Sequence, residues 1–274
     1  MAADFFLLVR VRVMNQNEQE RIESVEDELP AKNPAKWTGR KGIYLLPNLF
    51  TTGALFSGFY AIVASMNGDF VNAAVAIFIS MILDGMDGRV ARLTNTQSDF
   101  GAEYDSLADM VSFGVAPALV AFSWSLQDLG KIGWIAAFMY VAGAALRLAR
   151  FNTQLGTADK NFFTGLASPA AAAMVAGTVW VFSETGVLGA DVAWLMAFVV
   201  PLAGILMVSN FKYYSFKGLD IRGKVPFVAL LLVVLGFVII SMDPGKVLLG
   251  IFLIYAFSGP CYELWLKYQE RKAQ

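Results

Sequence analysis

The chain has 274 residues, 57% of them hydrophobic and 16% charged, with a mean hydropathy of +0.57; a soluble domain is about 45–50% apolar and about 25% charged, so this is the composition of a polytopic membrane protein. A net charge of −1 gives no global field to attract nucleic acid. With no histidine and one cysteine, Cys261, the chain has no Ser-His-Asp or Cys-His catalysis, no His-ligated metal and no intrachain disulfide. Any metal chemistry is therefore oxygen-ligated, which favours Mg²⁺, Mn²⁺ or Ca²⁺.

Residues 1–41 read as a cytoplasmic N-terminal tail and interfacial basic segment. A short apolar patch, Phe5 to Val9, is too short for a span. An acidic stretch follows. Lys32, Lys36, Arg40 and Lys41, with Trp37 and Tyr44, then suit the membrane surface. Residues 42–268 read as one transmembrane domain, and 269–274 as a short cytoplasmic tail. The predicted fold class is an all-α polytopic membrane helical bundle of about eight transmembrane helices. The expected spans are 47–66, 70–93, 100–124, 132–150, 165–182, 192–208, 225–241 and 247–268. Trp124, Trp134, Trp180 and Trp194 fit interfacial belts. An even number of spans puts both termini on one side, and the basic residues assign that side. Seven of the 21 Lys and Arg precede the first span, twelve lie at or beyond even-numbered span ends, and only Lys131 and Lys246 fall opposite. That bias makes both termini cytoplasmic.

The stretch from Asp84 to Asp109 breaks the apolar pattern. Asp84 and Asp87 are three apart and Asp105 and Asp109 four apart, so on helices each pair shares a face. An acidic residue near mid-membrane costs roughly 2.5–3.5 kcal/mol, and four cost on the order of 10 kcal/mol, less at shallow depth. Asp84 is about 12 Å along a helix from Arg92; Asp105 and Asp109 are about 9 and 15 Å from Asp99. All four can meet at one shallow depth open to the cytoplasm. Gly85, Gly88, Ala91 and Gly101 permit close helix approach or a ligand against the backbone. Such a group suits one or two hard divalent ions, and a two-metal site clamps an in-line displacement at phosphorus. Interhelical polar contacts, or a proton or cation pathway through a membrane transporter, are the other uses of intramembrane carboxylates.

The pattern Asp84-Gly85-x2-Gly88-x2-Ala91-Arg92-x8-Gly101-x3-Asp105-x3-Asp109 resembles the signature of the CDP-alcohol phosphatidyltransferases at every fixed position. The resemblance implies an integral membrane enzyme in which an alcohol attacks the β-phosphorus of a CDP-linked lipid and CMP leaves. It implies Asp84, Asp87 and Asp105 as metal ligands for Mg²⁺ or Mn²⁺, two ions in the two-metal case. Asp109 would be the general base, also near the metal. Gly88 and Ala91 would make room for the nucleotide, and Arg92 would face its phosphates.

Further stretches bear on the acceptor. Leu46-Pro47-Asn48, the run Ser106 to Pro117, Arg147-Leu-Ala-Arg150-Phe-Asn152 and Phe163-Thr-Gly-Leu-Ala-Ser-Pro169 resemble the members of this family that use L-serine. One departure is Ala167, where that likeness leads one to expect proline. On this likeness the substrates are CDP-diacylglycerol and L-serine, with Asn48 beside the CDP-lipid. Ser112, Arg147, Arg150 and Asn152 are candidates for serine or phosphate, since a carboxylate wants a guanidinium. Arg147 and Arg150 also suit positive-inside anchoring. Another acceptor, glycerol 3-phosphate or an inositol phosphate, is the alternative. A homodimer and a bacterial-type inner membrane follow from the resemblance alone; that the active site faces the cytoplasm follows from the Lys and Arg bias above.

Overall fold

A computed structural model describes residues 45–153, 162–214 and 227–273. The tail and basic segment at 1–41, Tyr44, Lys160 and the basic residues at 217–224 lie outside the described residues. The helices are α1 (Leu45–Met66), α2 (Phe70–Thr94), α3 (Asp99–Asp109), α4 (Ala116–Trp124), α5 (Lys131–Thr153), α6 (Ser168–Glu184), α7 (Ala193–Val208), α8 (Phe227–Met242) and α9 (Pro244–Ala273).

Each apolar segment expected from the sequence is helical. Among the described residues, six helices are long and apolar enough to cross a membrane. The expected fifth and seventh spans are shorter, with 17 residues in α6 and 16 in α8. About 20 residues cross a hydrocarbon core of about 30 Å, and 17 is near the lower limit. The protein is an integral membrane helical bundle. Large apolar side chains such as Phe56, Ile82, Phe138 and Phe198 point outward and exposed, as a lipid solvent permits. Helix α9 runs on through residues 269–273 with no break after Tyr268.

Local signals set the ends near the acidic stretch. Asp69 caps α2 by accepting from Asn72 N–H. Asn95 closes the helix in the left-handed conformation, at φ 51°. Ser98 then caps α3 through the Gly101 N–H at 3.0 Å. The hairpin between the two acidic helices is thus short and capped at both ends. At the start of α6, Ala167 holds φ −62° and ψ 136°, an extended geometry that proline also adopts. Alanine there keeps the turn without the ring.

Small residues and hydroxyls hold the bundle together. Helix α6 is central, with Ala170 to Trp180 buried throughout. Ser57 Oγ donates to Ala76 O at 2.7 Å and Ser80 Oγ to Ala54 O at 2.8 Å, tying α1 to α2. Helices α5 and α7 meet backbone to backbone: a Cβ on Gly143 would stand 2.6 Å from Gly204 O. Trp134 and Trp194 are exposed, as a belt requires, whereas Trp124 and Trp180 are not. Each is 8% exposed, Trp124 stacked on Phe182 and Trp180 tilted against Phe78. Their apolar area is spent on the core rather than at an interface.

Two features depart from the predicted pattern. The expected third span is not one regular helix: residues Met110–Val115 form a π-helical turn between α3 and α4. It starts directly after Asp109, so the face presented by Asp105 and Asp109 is set independently of the face that Phe113, Ala116 and Val120 bury. Tyr140 Oη donates to Phe113 O at 2.9 Å, satisfying a carbonyl of the widened turn. Gly58 of α1 clears the same turn, since a Cβ there would stand 2.5 Å from Ser112 Oγ and 2.7 Å from its Cα. Gly58→Val is therefore expected to destabilise the bundle by about 1–3 kcal/mol through overpacking, read as a lower melting temperature in detergent. The second departure is a two-stranded antiparallel ribbon, β1 (Phe162–Thr164) with β2 (Lys212–Tyr214). It is anchored by the buried Tyr213, whose hydroxyl donates to Ala256 O of α9 at 3.0 Å. That burial raises the ionisation point of Tyr213, so it stays a neutral donor.

Candidate active site

Helices α2 and α3 bring three of the four predicted carboxylates together. Asp84, Asp105 and Asp109 each offer an oxygen, all within 4.8 Å of one another. Asp84 meets Asp109 side chain to side chain, and Asp105 meets Asp87. Asp87 adjoins this group through Asp105. Its Oδ2 accepts from Thr51 Oγ1 at 2.8 Å and its Oδ1 from the Gly88 N–H at 2.5 Å. Asp87 thus adjoins the trio while also held by donors from its own helix and α1.

Three carboxylates this close cannot all carry charge without a cation or shared protons. Asp105 Oδ1 is buried with no hydrogen-bond partner among the described residues. An orphaned anionic oxygen is costly away from water. All the donors are hard oxygens, so the set fits a divalent cation such as Mg²⁺ or Mn²⁺.

A cavity of about 390 Å³ opens beside Asp87 and Asp105. That is within the range of small-molecule sites. Its lining includes Asn48 and Thr51 of α1, then Gly88, Ala91 and Arg92 of α2, with Ser98 and Gly101 on the far wall. Of the five residues predicted beside a CDP-lipid, Asn48, Gly88, Ala91 and Arg92 line this cavity, and Asp84 does not. The glycines divide by role. A Cβ on Gly101 would meet Ser98 Oγ at 3.1 Å and Asn48 Oδ1 at 3.5 Å, so Gly101 serves close approach of α1 and α3. A Cβ on Gly88 would meet nothing within 4 Å, so the space in front of it is free for a ligand.

The other candidates are more dispersed. Arg147 Nε donates to Leu166 O at 2.5 Å, and its guanidinium interacts electrostatically with Asp109 and with Tyr255 of α9. It sits on the Asp109 side of the trio. Arg150 reaches Asn210 Oδ1 at 3.3 Å and Ser209 O at 3.5 Å, tying α5 to the residues before β2. Asn152 pairs with Ser106 at 3.1 Å, one residue from Asp105. Ser112 is fully buried and donates to Ala54 O at 3.1 Å. It lies within the packing of α1 against the π turn and does not line the cavity. Glu103 is exposed and lines no part of it. Sequence reading missed Thr51, although its position three residues after Asn48 places both on one face of α1. It also missed Tyr255, which no local pattern marks.

The sequence profile of the CDP-alcohol phosphatidyltransferases matches residues 44–208, which cover α1 to α7 and every carboxylate above. Among curated proteins, the CDP-diacylglycerol–serine O-phosphatidyltransferase of Helicobacter pylori (strain ATCC 700392 / 26695) is 40% identical over 214 residues, 78% of this chain and 90% of that one. The protein of the same name from Mycobacterium tuberculosis (strain ATCC 25618 / H37Rv) is 38% identical over 180 residues, 63% of this chain and 62% of its own. That from Saccharomyces cerevisiae is 40% identical over 139 residues, 46% of this chain and 50% of its own. With the signature carboxylates gathered at the cavity and the profile spanning more than half its length, the chain belongs to the CDP-alcohol phosphatidyltransferase family.

Proposed function

We propose that this protein transfers the phosphatidyl group of CDP-diacylglycerol to the hydroxyl of L-serine, giving phosphatidylserine and CMP. The observation that carries the reading is the convergence of Asp84, Asp105 and Asp109 beside a cavity whose wall contains Gly88, Ala91 and Arg92. The names of the H. pylori and M. tuberculosis relatives support serine as the acceptor.

In this reading the nucleotide lies across Gly88 and Ala91, where no side chain fills the space, with Arg92 at its phosphates. Asp84, Asp105 and Asp109, with Asp87 beside them, would hold one or two Mg²⁺ or Mn²⁺ ions. Such an ion, when bound, supplies positive charge to the pyrophosphate oxygens and to the leaving CMP. Asp109 accepts the proton of the serine hydroxyl, whose oxygen forms a bond to the β-phosphorus as the bond from that phosphorus to CMP breaks. Arg147, close enough to Asp109 to feel its charge, suits the serine carboxylate. Arg150 and Asn152 support that end of the site by fixing α5 to its neighbours.

We place the site on the cytoplasmic side, from the distribution of Lys and Arg in the sequence, and in a bacterial-type inner membrane, from the family resemblance. Residues 1–41 serve as a tail and surface anchor, residues 42–268 as the catalytic domain, and two chains pair as a homodimer. The test of function is CMP release from CDP-diacylglycerol by purified protein with a panel of alcohols, with and without a chelator. Release with L-serine, abolished by chelator and restored by Mg²⁺ or Mn²⁺, is the expected result. Release with glycerol 3-phosphate or an inositol phosphate but not with serine would overturn the acceptor, and release unaffected by chelator would overturn the metal.

A further inference from the structure

Helix α9 lies beyond the residues that the family profile matches. Its middle reads Tyr255-Ala-Phe-Ser-Gly259-Pro260. A proline inside a helix has no N–H, so the carbonyl four residues earlier loses its helical donor. That carbonyl is Ala256 O, and it accepts instead from Tyr213 Oη at 3.0 Å. Gly259 makes the room, since a Cβ there would stand 2.6 Å from Tyr213 Cζ. Gly259 and Pro260 thus form a socket for one tyrosine, and Tyr213 fills it and is fully buried.

The socket bears on Arg147 from two directions. Tyr213 sits on β2, paired with Phe163 of β1. The chain then runs from β1 into Gly165 and Leu166, whose N–H groups donate to Phe211 O and Leu206 O, each at 2.9 Å. Leu166 O is the acceptor of Arg147 Nε. In the other direction, the Tyr213 ring lies against that of Tyr255, with centroids 5.5 Å apart and planes at 44°. Tyr255 interacts electrostatically with Arg147. Arg147 is therefore held by the ribbon end at Nε and by α9 through its charge, and Tyr213 joins the two.

We propose that Tyr255 is a positioning residue for acceptor recognition. It orients the Arg147 guanidinium toward the carboxylate of the acceptor, and Tyr213 in the Gly259-Pro260 socket keeps it there. The inference rests on the reading that Arg147 receives the carboxylate of serine. A long arginine side chain loses much rotamer freedom when it binds, and ordering it beforehand lowers that cost. Helix α9 then completes the acceptor side of a site whose carboxylates come from α2 and α3.

Initial rates of CMP release by purified protein in detergent micelles, with serine and CDP-diacylglycerol varied in turn, provide the test. Tyr255→Phe keeps the ring that packs on Tyr213 and removes the hydroxyl alone. It is expected to raise KM for serine about tenfold, the usual scale for losing an interaction with a charged group. The kcat and the KM for CDP-diacylglycerol should change less than about twofold, with an unchanged melting temperature. Tyr213→Phe, which leaves Ala256 O without its donor, should shift KM for serine in the same direction. In an Arg147→Lys background Tyr255→Phe should add less than about twofold, because its effect passes through Arg147. An unchanged KM for serine in Tyr255→Phe would overturn the proposal. So would equal rises in KM for both substrates with a lower melting temperature, the mark of a packing role, or a full tenfold effect in the Arg147→Lys background. If the parent releases CMP with glycerol 3-phosphate and not with serine, the acceptor reading fails. A rise in KM for that anion in Tyr255→Phe would then still support the positioning role, and no rise would overturn it too.

Discussion

Asp109→Asn is expected to lower CMP release by about 10²–10⁴-fold, the usual contribution of a positioned general base. The amide keeps the shape of the carboxylate but cannot take the proton of the attacking hydroxyl. Asp109 lies at the end of α3, directly before the π turn, within 4.8 Å of Asp84 and Asp105, and it is the carboxylate of the trio with which Arg147 interacts. It is therefore the trio member nearest the side assigned to the acceptor. Removing one of several crowded negative charges relieves repulsion, so the fold should survive and CDP-diacylglycerol should still bind. Single-turnover CMP release together with CDP-lipid binding checks both halves. Near-normal turnover would contradict the base assignment, and loss of lipid binding would move Asp109 into the donor site.

Gly88→Val should separate folding from activity in the opposite sense. A Cβ at Gly88 meets no side chain or neighbouring element within 4 Å, so a branched side chain has open space to enter. Glycine in a helix interior costs roughly 0.5–1 kcal/mol relative to alanine, so the variant should be no less stable than the parent. Its side chain would project into the cavity of about 390 Å³ where the nucleotide is proposed to lie. We expect affinity for CDP-diacylglycerol to fall by about 100-fold or more, as backbone approach to the ligand is blocked, with an unchanged or higher melting temperature. Normal affinity would show that the nucleotide lies elsewhere. A lower melting temperature would show that Gly88 is needed for packing.

The acidic hairpin was legible because helical spacing and depth arithmetic are local. They put Asp84, Asp87, Asp105 and Asp109 at one depth; Asn48, Gly88, Ala91 and Arg92, assigned to the lipid by the family resemblance, line one cavity. What spacing does not carry is which neighbour each side chain faces. Asp87 is turned to Thr51 by a helix 36 residues away in sequence. Ser112 looked like a polar site residue, and its hydroxyl is consumed by Ala54 O across 58 residues. The π turn is set by tertiary partners, the clearance at Gly58 and the hydrogen bond from Tyr140, so a hydropathy pattern over 100–124 reads as one helix. Helix α6 shows the same limit: the segment 165–182 reads as one span among eight, and the structure buries Ala170 to Trp180 throughout.

The central claim is that the trio gathers to hold a dication against the pyrophosphate of a lipid donor. Its most direct test is the electron paramagnetic resonance signal of Mn²⁺ titrated into metal-free protein saturated with CDP-diacylglycerol. The account predicts at least one tightly bound Mn²⁺ per chain, with binding weakened by about tenfold or more in Asp105→Asn. Mn²⁺ that stays free in the parent, or that binds equally well after that substitution, would contradict it.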